Sequence, residues 1–155
     1  MRTRGFTLIE MLVVLAIVGL LAAAARPMLE LSQQRSQEFE LRSALRHLRT
    51  AIDAYKRASD EGRVGKPADA SGYPPDLQAL VDGVPDIRTP TGERIYFLRS
   101  LPRDPFADPT LPAAQTWALR AYDSPPNSPR EGRDVFDIHS RSERAALDGS
   151  NVKDW

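Results

Sequence analysis

The chain has 155 residues, enough for one domain of ordinary size and hardly for two. Its 21 basic and 21 acidic side chains cancel, so no basic surface advertises nucleic acid as a partner. With no cysteine in the sequence, disulfides, iron–sulfur clusters and thiol chemistry are excluded.

The first element is an apolar run. Phe6 to Ala25 is almost wholly apolar, while the remainder carries nearly all the charge. About twenty helical residues at about 1.5 Å each span roughly 30 Å, the thickness of a bilayer's hydrocarbon core. Met1-Arg2-Thr3-Arg4 supplies the positive flank that stays in the cytoplasm, which faces the rest of the chain outward. A secretory signal peptide is the competing reading, but its apolar core is usually shorter and free of acid. Glu10 interrupts this one. A carboxylate near the membrane centre costs about 3 kcal/mol on insertion scales, so it calls for a partner.

Pro27 is expected to bend or locally break the helix that follows. Beyond it, Leu41, Leu45, Leu48, Ile52 and Tyr55 recur at intervals of four and three, the stripe of an amphipathic helix. One long helix from about Phe6 to Ala58 is predicted, its first half embedded in lipid and its second half laid on a small domain. His47 has no second ligand at metal spacing around it and reads as a solvated or packing histidine.

Asp60 to Gly72, rich in Gly, Ala, Asp and Lys, reads as a helix stop and a loop. Tyr73 to Val81 reads as a capped short helix with Leu77, Leu80 and Val81 on one face. Arg94–Leu98, Trp117–Tyr122 and Asp134–His139 read as strands, separated by proline-rich turn signals. Three short strands suggest a small antiparallel sheet packed on the helix, an α+β fold. Within the last strand, Asp137 and His139 share a face and Ser140 points the other way. A nucleophile, base and orienter need convergent hydrogen bonds, which consecutive strand residues rarely supply. With no phosphate loop, HExxH or cysteine nucleophile either, no enzyme signature is present.

At Arg4-Gly5-Phe6-Thr7-Leu8-Ile9-Glu10 the sequence resembles the type IV pilin superfamily, whose leader ends in a basic stretch and a glycine before a pattern of the form FTLIE. The resemblance implies that a prepilin peptidase cuts between Gly5 and Phe6 and methylates the new N-terminus at Phe6. It also implies that Glu10 pairs with the N-terminal amine of a neighbouring subunit during filament assembly. Two charges costly in lipid become tolerable as a pair. The expected organisation is a cleaved leader at 1–5, a transmembrane stem at 6–26, an amphipathic periplasmic half-helix at 27–58 and a globular α+β head at 59–155.

Three later patches resemble the major, G-type pseudopilin of type II secretion systems. They are Tyr73-Pro74 with Leu77-Gln78-Ala79-Leu80-Val81, then Tyr96-Phe97-Leu98-Arg99-Ser100-Leu101-Pro102-Arg103-Asp104-Pro105-Phe106, and finally Val135-Phe136-Asp137-Ile138-His139-Ser140 with Trp155. That resemblance implies a structural, non-catalytic subunit of a periplasmic filament that promotes export of folded proteins. Its partners would be other pseudopilins and copies of itself, a prepilin peptidase, an inner-membrane assembly platform and membrane lipid. The implied location is the bacterial inner membrane, crossed once, with the N-terminus cytoplasmic and the C-terminal domain periplasmic. A subunit of a type IV pilus is the alternative, and a membrane-anchored periplasmic binding domain a further one.

G-type pseudopilins commonly hold calcium in the loop before the terminal tryptophan, and calcium wants six to eight oxygens. Here the acids of that loop, Glu143, Asp148 and Asp154, are widely spaced, and Arg141, Arg144 and Lys153 bring positive charge. No tight calcium site and no other cofactor is expected, with Asp148 the candidate ligand if calcium binds. Asp148-Gly149-Ser150-Asn151 reads as a turn, and Trp155 is expected to close the loop by packing.

Overall fold

The structure, a computed structural model, describes residues 7–155. Gly5 and Phe6, and with them the expected cleavage point, lie outside the described residues. By internal contacts the chain divides into two units, Met1–Ser36 and Gln37–Trp155.

Helix α1, Leu8–Asp60, starts in the first unit and ends in the second. It is helical through Pro27, as the single long helix expected from about Phe6 to Ala58 requires, and no local break occurs there. Proline removes one hydrogen bond from the ladder; in a helix of 53 residues the bonds on either side carry the chain past it. From Leu8 to Leu21 every large apolar side chain is at least 52% exposed. Helix α1 as a whole, near the chain's N-terminus, is long and apolar enough to cross a membrane.

In the second unit α1 behaves differently. Leu41, Leu45, Leu48, Ile52 and Tyr55 are all buried, with Ala44, Ala51 and Ala58 completing the face. Trp117, Val135, Ile138, Leu77, Leu80 and Val152 belong to the same core cluster. Burying one leucine of this kind contributes about 1.5–3 kcal/mol, so the stripe is the main anchor of the unit. The helix stops where the sequence says it should. Gly62 adopts a left-handed φ of 69°, and the amides of Gly62 and Arg63 reach back to the carbonyls of Ser59 and Ala58 at 3.0 and 2.9 Å. Those two bonds satisfy carbonyls that the last turn leaves open.

The short helix is smaller than predicted. Helix α2 is only Ala79–Asp82, because a residue that precedes a proline is disfavoured in the helical region, which affects both Tyr73 and Pro74, and Asp76 accepts the Ala79 amide at 2.8 Å, fixing the start. Leu77 and Leu80 are buried as expected, whereas Val81 is only partly so.

The fold is α+β, but its strands form two antiparallel ribbons rather than one three-stranded sheet. Strand β1 (Val84–Pro85) pairs with β2 (Arg94–Ile95), and β3 (Trp117–Arg120) pairs with β4 (Asp137–Ser140). Strand β1 escaped the sequence reading because two residues ending in proline leave no alternation to detect. Segment 94–98 does not continue as a strand, since the amides of Phe97 and Leu98 both donate to the Leu80 carbonyl, at 3.0 and 2.9 Å. Strand β4 starts late because the Val135 amide is taken by the Pro74 carbonyl at 2.8 Å.

The segment Leu101–Phe106 anchors the second ribbon. The Trp117 indole donates to the Pro102 carbonyl at 2.9 Å. Asp104, 2% exposed, accepts the Phe106 amide at 2.8 Å and the Ser140 hydroxyl. Its own amide donates to Thr116. A buried carboxylate is tolerated when its oxygens are occupied in this way.

Candidate functional site

Thr7 and Glu10 form a reciprocal cap at the start of α1. The Glu10 carboxylate accepts the Thr7 amide at 2.9 Å and the Thr7 hydroxyl at 3.0 Å. In return the Glu10 amide donates to the Thr7 hydroxyl oxygen at 3.3 Å. This is the Thr-x-x-Glu capping box, which satisfies donors that a helix start leaves open. In lipid no water could satisfy them, so Glu10 has a use within its own chain besides the one the resemblance implies. The signal was present in Thr7-Leu8-Ile9-Glu10 and was read only as part of the pilin pattern. Hydrogen bonds from an amide and a hydroxyl stabilise the carboxylate without neutralising its charge. A cation would still be favourable beside it.

Asp137, His139 and Ser140 do not converge. Ser140 faces inward onto Asp104, while Asp137 accepts from the Arg49 guanidinium at 2.8 Å, with Arg49 also donating to the Ile138 carbonyl at 3.0 Å. Burial lowers the pKa of His139 below its ordinary 6.5, with Asp137 opposing and Arg141 and Arg49 assisting. These residues bind β4 to α1 and to the Leu101–Phe106 segment; they assemble no nucleophile. His47 is exposed, the solvated alternative of the two expected for it.

The C-terminal loop is gripped by two α1 residues that the sequence reading did not single out. The Leu147 amide donates to the buried Glu38 carboxylate at 2.8 Å. One helical turn on, Arg42 donates to Asp148 at 2.9 Å, and its guanidinium lies 3.9 Å from the centre of the Trp155 ring. Asp148 also accepts the Ser150 amide and hydroxyl at 2.9 and 2.6 Å, and the Trp155 indole donates to the Ser150 hydroxyl at 2.7 Å. The Ser150 bonds, then Arg42, hold the Asp148 carboxyl below its usual range. The 148–151 turn is therefore present, with Gly149 at φ 83°, and Trp155 is partly buried against the core. Glu38 and Arg42 could not be picked out because their partners lie 109 and 106 positions away.

Residues 1–25 match the family model described as the prokaryotic N-terminal methylation motif. The chain is 40% identical over 75 residues to the type IV major pilin protein PilA of Myxococcus xanthus, covering 48% of this chain and 33% of that protein. It is 33% identical over 109 residues to the type II secretion system core protein G of Dickeya chrysanthemi, covering 68% and 64%. To the core protein G of Klebsiella pneumoniae it is 36% identical over 112 residues, covering 68% and 70%. The match thus spans a third of the Myxococcus protein and just under two thirds of the Dickeya one. No solved structure gives a significant match.

Proposed function

Because this chain belongs to the family of the type II secretion system core protein G, we propose that it is a structural subunit of a secretion pseudopilus. In this reading a prepilin peptidase cuts between Gly5 and Phe6 and methylates Phe6. The apolar part of α1 holds the subunit in the bacterial inner membrane, with the remainder of the chain periplasmic. Subunits then pack helix on helix into a filament, with related pseudopilins and an assembly platform in the inner membrane. The filament promotes export of folded proteins; the subunit itself catalyses nothing.

One observation supports the reading above the others: a helix apolar on every side from Leu8 to Leu21 carries a single carboxylate, Glu10. An anchor gains nothing from an acid in lipid beyond a cap that a neutral side chain could supply. A filament subunit gains a register mark, because the N-terminal amine of the next copy pairs with it. A pilus subunit would use the same device, and the match to the Myxococcus pilin favours that second reading. The match to core protein G covers more of this chain, 68% against 48%.

Glutamine can serve the capping box while carrying no charge, so Glu10→Gln separates the two uses of Glu10. Membrane insertion is expected to be intact in this variant and filament formation to fail. Normal filament yield would remove the pairing role. Co-expression with a prepilin peptidase should yield a chain five residues shorter that begins with N-methyl-phenylalanine, as the Gly5–Phe6 cut requires. An intact mass showing no cut there would end the pilin-like reading.

A further inference from the structure

We propose that Arg42 is the built-in cation of the C-terminal loop, and that the loop closes on its guanidinium without calcium. The resemblance places a calcium ion in this loop, and the residues present do not fit one. Calcium needs several oxygens converging on a point. Among the described residues no three acids or histidines come together in that way. One Asp148 oxygen is already committed to Arg42 and the other to Ser150, while Glu143 faces the Lys153 ammonium at 3.4 Å. A divalent cation entering at Asp148 would have to displace a fixed positive charge.

Arg42 brings two things to the loop that a point charge does not. Its planar fork donates to a carboxylate, and its face lies over an indole. One guanidinium therefore holds Asp148 and Trp155 to the same turn of α1. The Asp148 pair is about half exposed and contributes little alone. The ring contact and the adjacent grip of Glu38 on the Leu147 amide make the arrangement a clasp. This inference does not depend on filament assembly, so its test leaves the proposed function untouched.

The test is amide hydrogen exchange of the full chain in detergent micelles. It is read at Ala146 and Val152, whose amides donate within the loop to Ser150 and Arg144. Exchange is expected to be the same in about 1 mM calcium, the range of weak extracellular calcium modules, and in excess chelator. Arg42→Met is expected to speed exchange at these amides about tenfold in both conditions. Arg42→Lys, which keeps the charge and loses the fork, should fall between. In an Arg42→Met background, Asp148→Asn should add less than it does alone. Slower exchange of the natural chain in calcium than in chelator would overturn the proposal, as would an Arg42→Met loop as protected as the original.

Discussion

From Leu8 to Leu21, α1 exposes every large apolar side chain, whereas from Leu41 to Tyr55 it buries one stripe and leaves Arg42, Arg46 and His47 outside. Both stretches are regular helix, and the covalent chain passes from one to the other without a break. What differs is the source of the environment. The second stretch finds its apolar partners in its own chain, at Trp117, Val135 and Ile138. The first is apolar all round, a pattern suited to lipid or to other helices rather than to one facing surface. A substitution should therefore be felt in the folding of Gln37–Trp155 in one stretch and only in membrane association or assembly in the other.

The sharpest break is Leu48→Ala. Leu48 is fully buried, and truncating such a leucine costs about 2–5 kcal/mol. Thermal unfolding of the detergent-solubilised chain should show a large drop in melting temperature. An unchanged melting temperature would mean that the stripe is not the anchor. Next comes Asp104→Ala, which leaves the buried Ser140 hydroxyl and the Phe106 amide without their acceptor. About 1–3 kcal/mol should be lost, measured by the same melting experiment, and Asp104→Asn should recover part of it.

A smaller effect belongs to His139. Its folded pKa lies below the unfolded value of 6.5, so above that pH both states are neutral. As pH falls below 6.5 the unfolded chain takes up the proton first, and stability declines until the lowered folded pKa is passed. Urea midpoints should drop across this window, and His139→Gln should flatten the drop. The carboxyls held low, such as Asp86 beside Arg63, act in a separate window. Their stabilisation is present above the ordinary 3.8 and is lost as pH falls through their lowered values. Smallest of all is Leu12→Ala, at a side chain 58% exposed. The melting of the Gln37–Trp155 unit should not move.

How much could be read in advance follows the range of the interactions. The stripe from Leu41 to Tyr55, the stop at Gly62 and the turn at 148–151 depend on residues a few positions apart, and all were legible. The single long helix expected from about Phe6 to Ala58 was legible too, and only a local break at Pro27 is absent, because a local rule against proline says nothing of a 53-residue ladder. The split into two ribbons was hidden for a related reason. Whether Phe97 and Leu98 extend a strand depends on the Leu80 carbonyl that competes for their amides. The capping role of Glu10 was legible in Thr7-Leu8-Ile9-Glu10 and was eclipsed by the family pattern it also belongs to. Arg42 could not be picked out, since nothing local names Asp148 and Trp155 as its partners.

The long reach of these contacts has a consequence for how the chain must be made. Arg49 meets Asp137 across 88 positions, and Glu38 meets Leu147 across 109. Synthesis delivers the α1 stripe early and much of what covers it, Trp117, Val135 and Ile138, far later. Contacts of such sequence separation form slowly, because a long loop must close before they repay its entropy. Throughout that interval Leu41, Leu45, Leu48 and Ile52 present an open greasy strip to whatever is nearby. An emerging chain of this design is vulnerable to aggregation and to proteases until Trp117, Val135 and Ile138 arrive, and a helper that shields the strip would act in that interval.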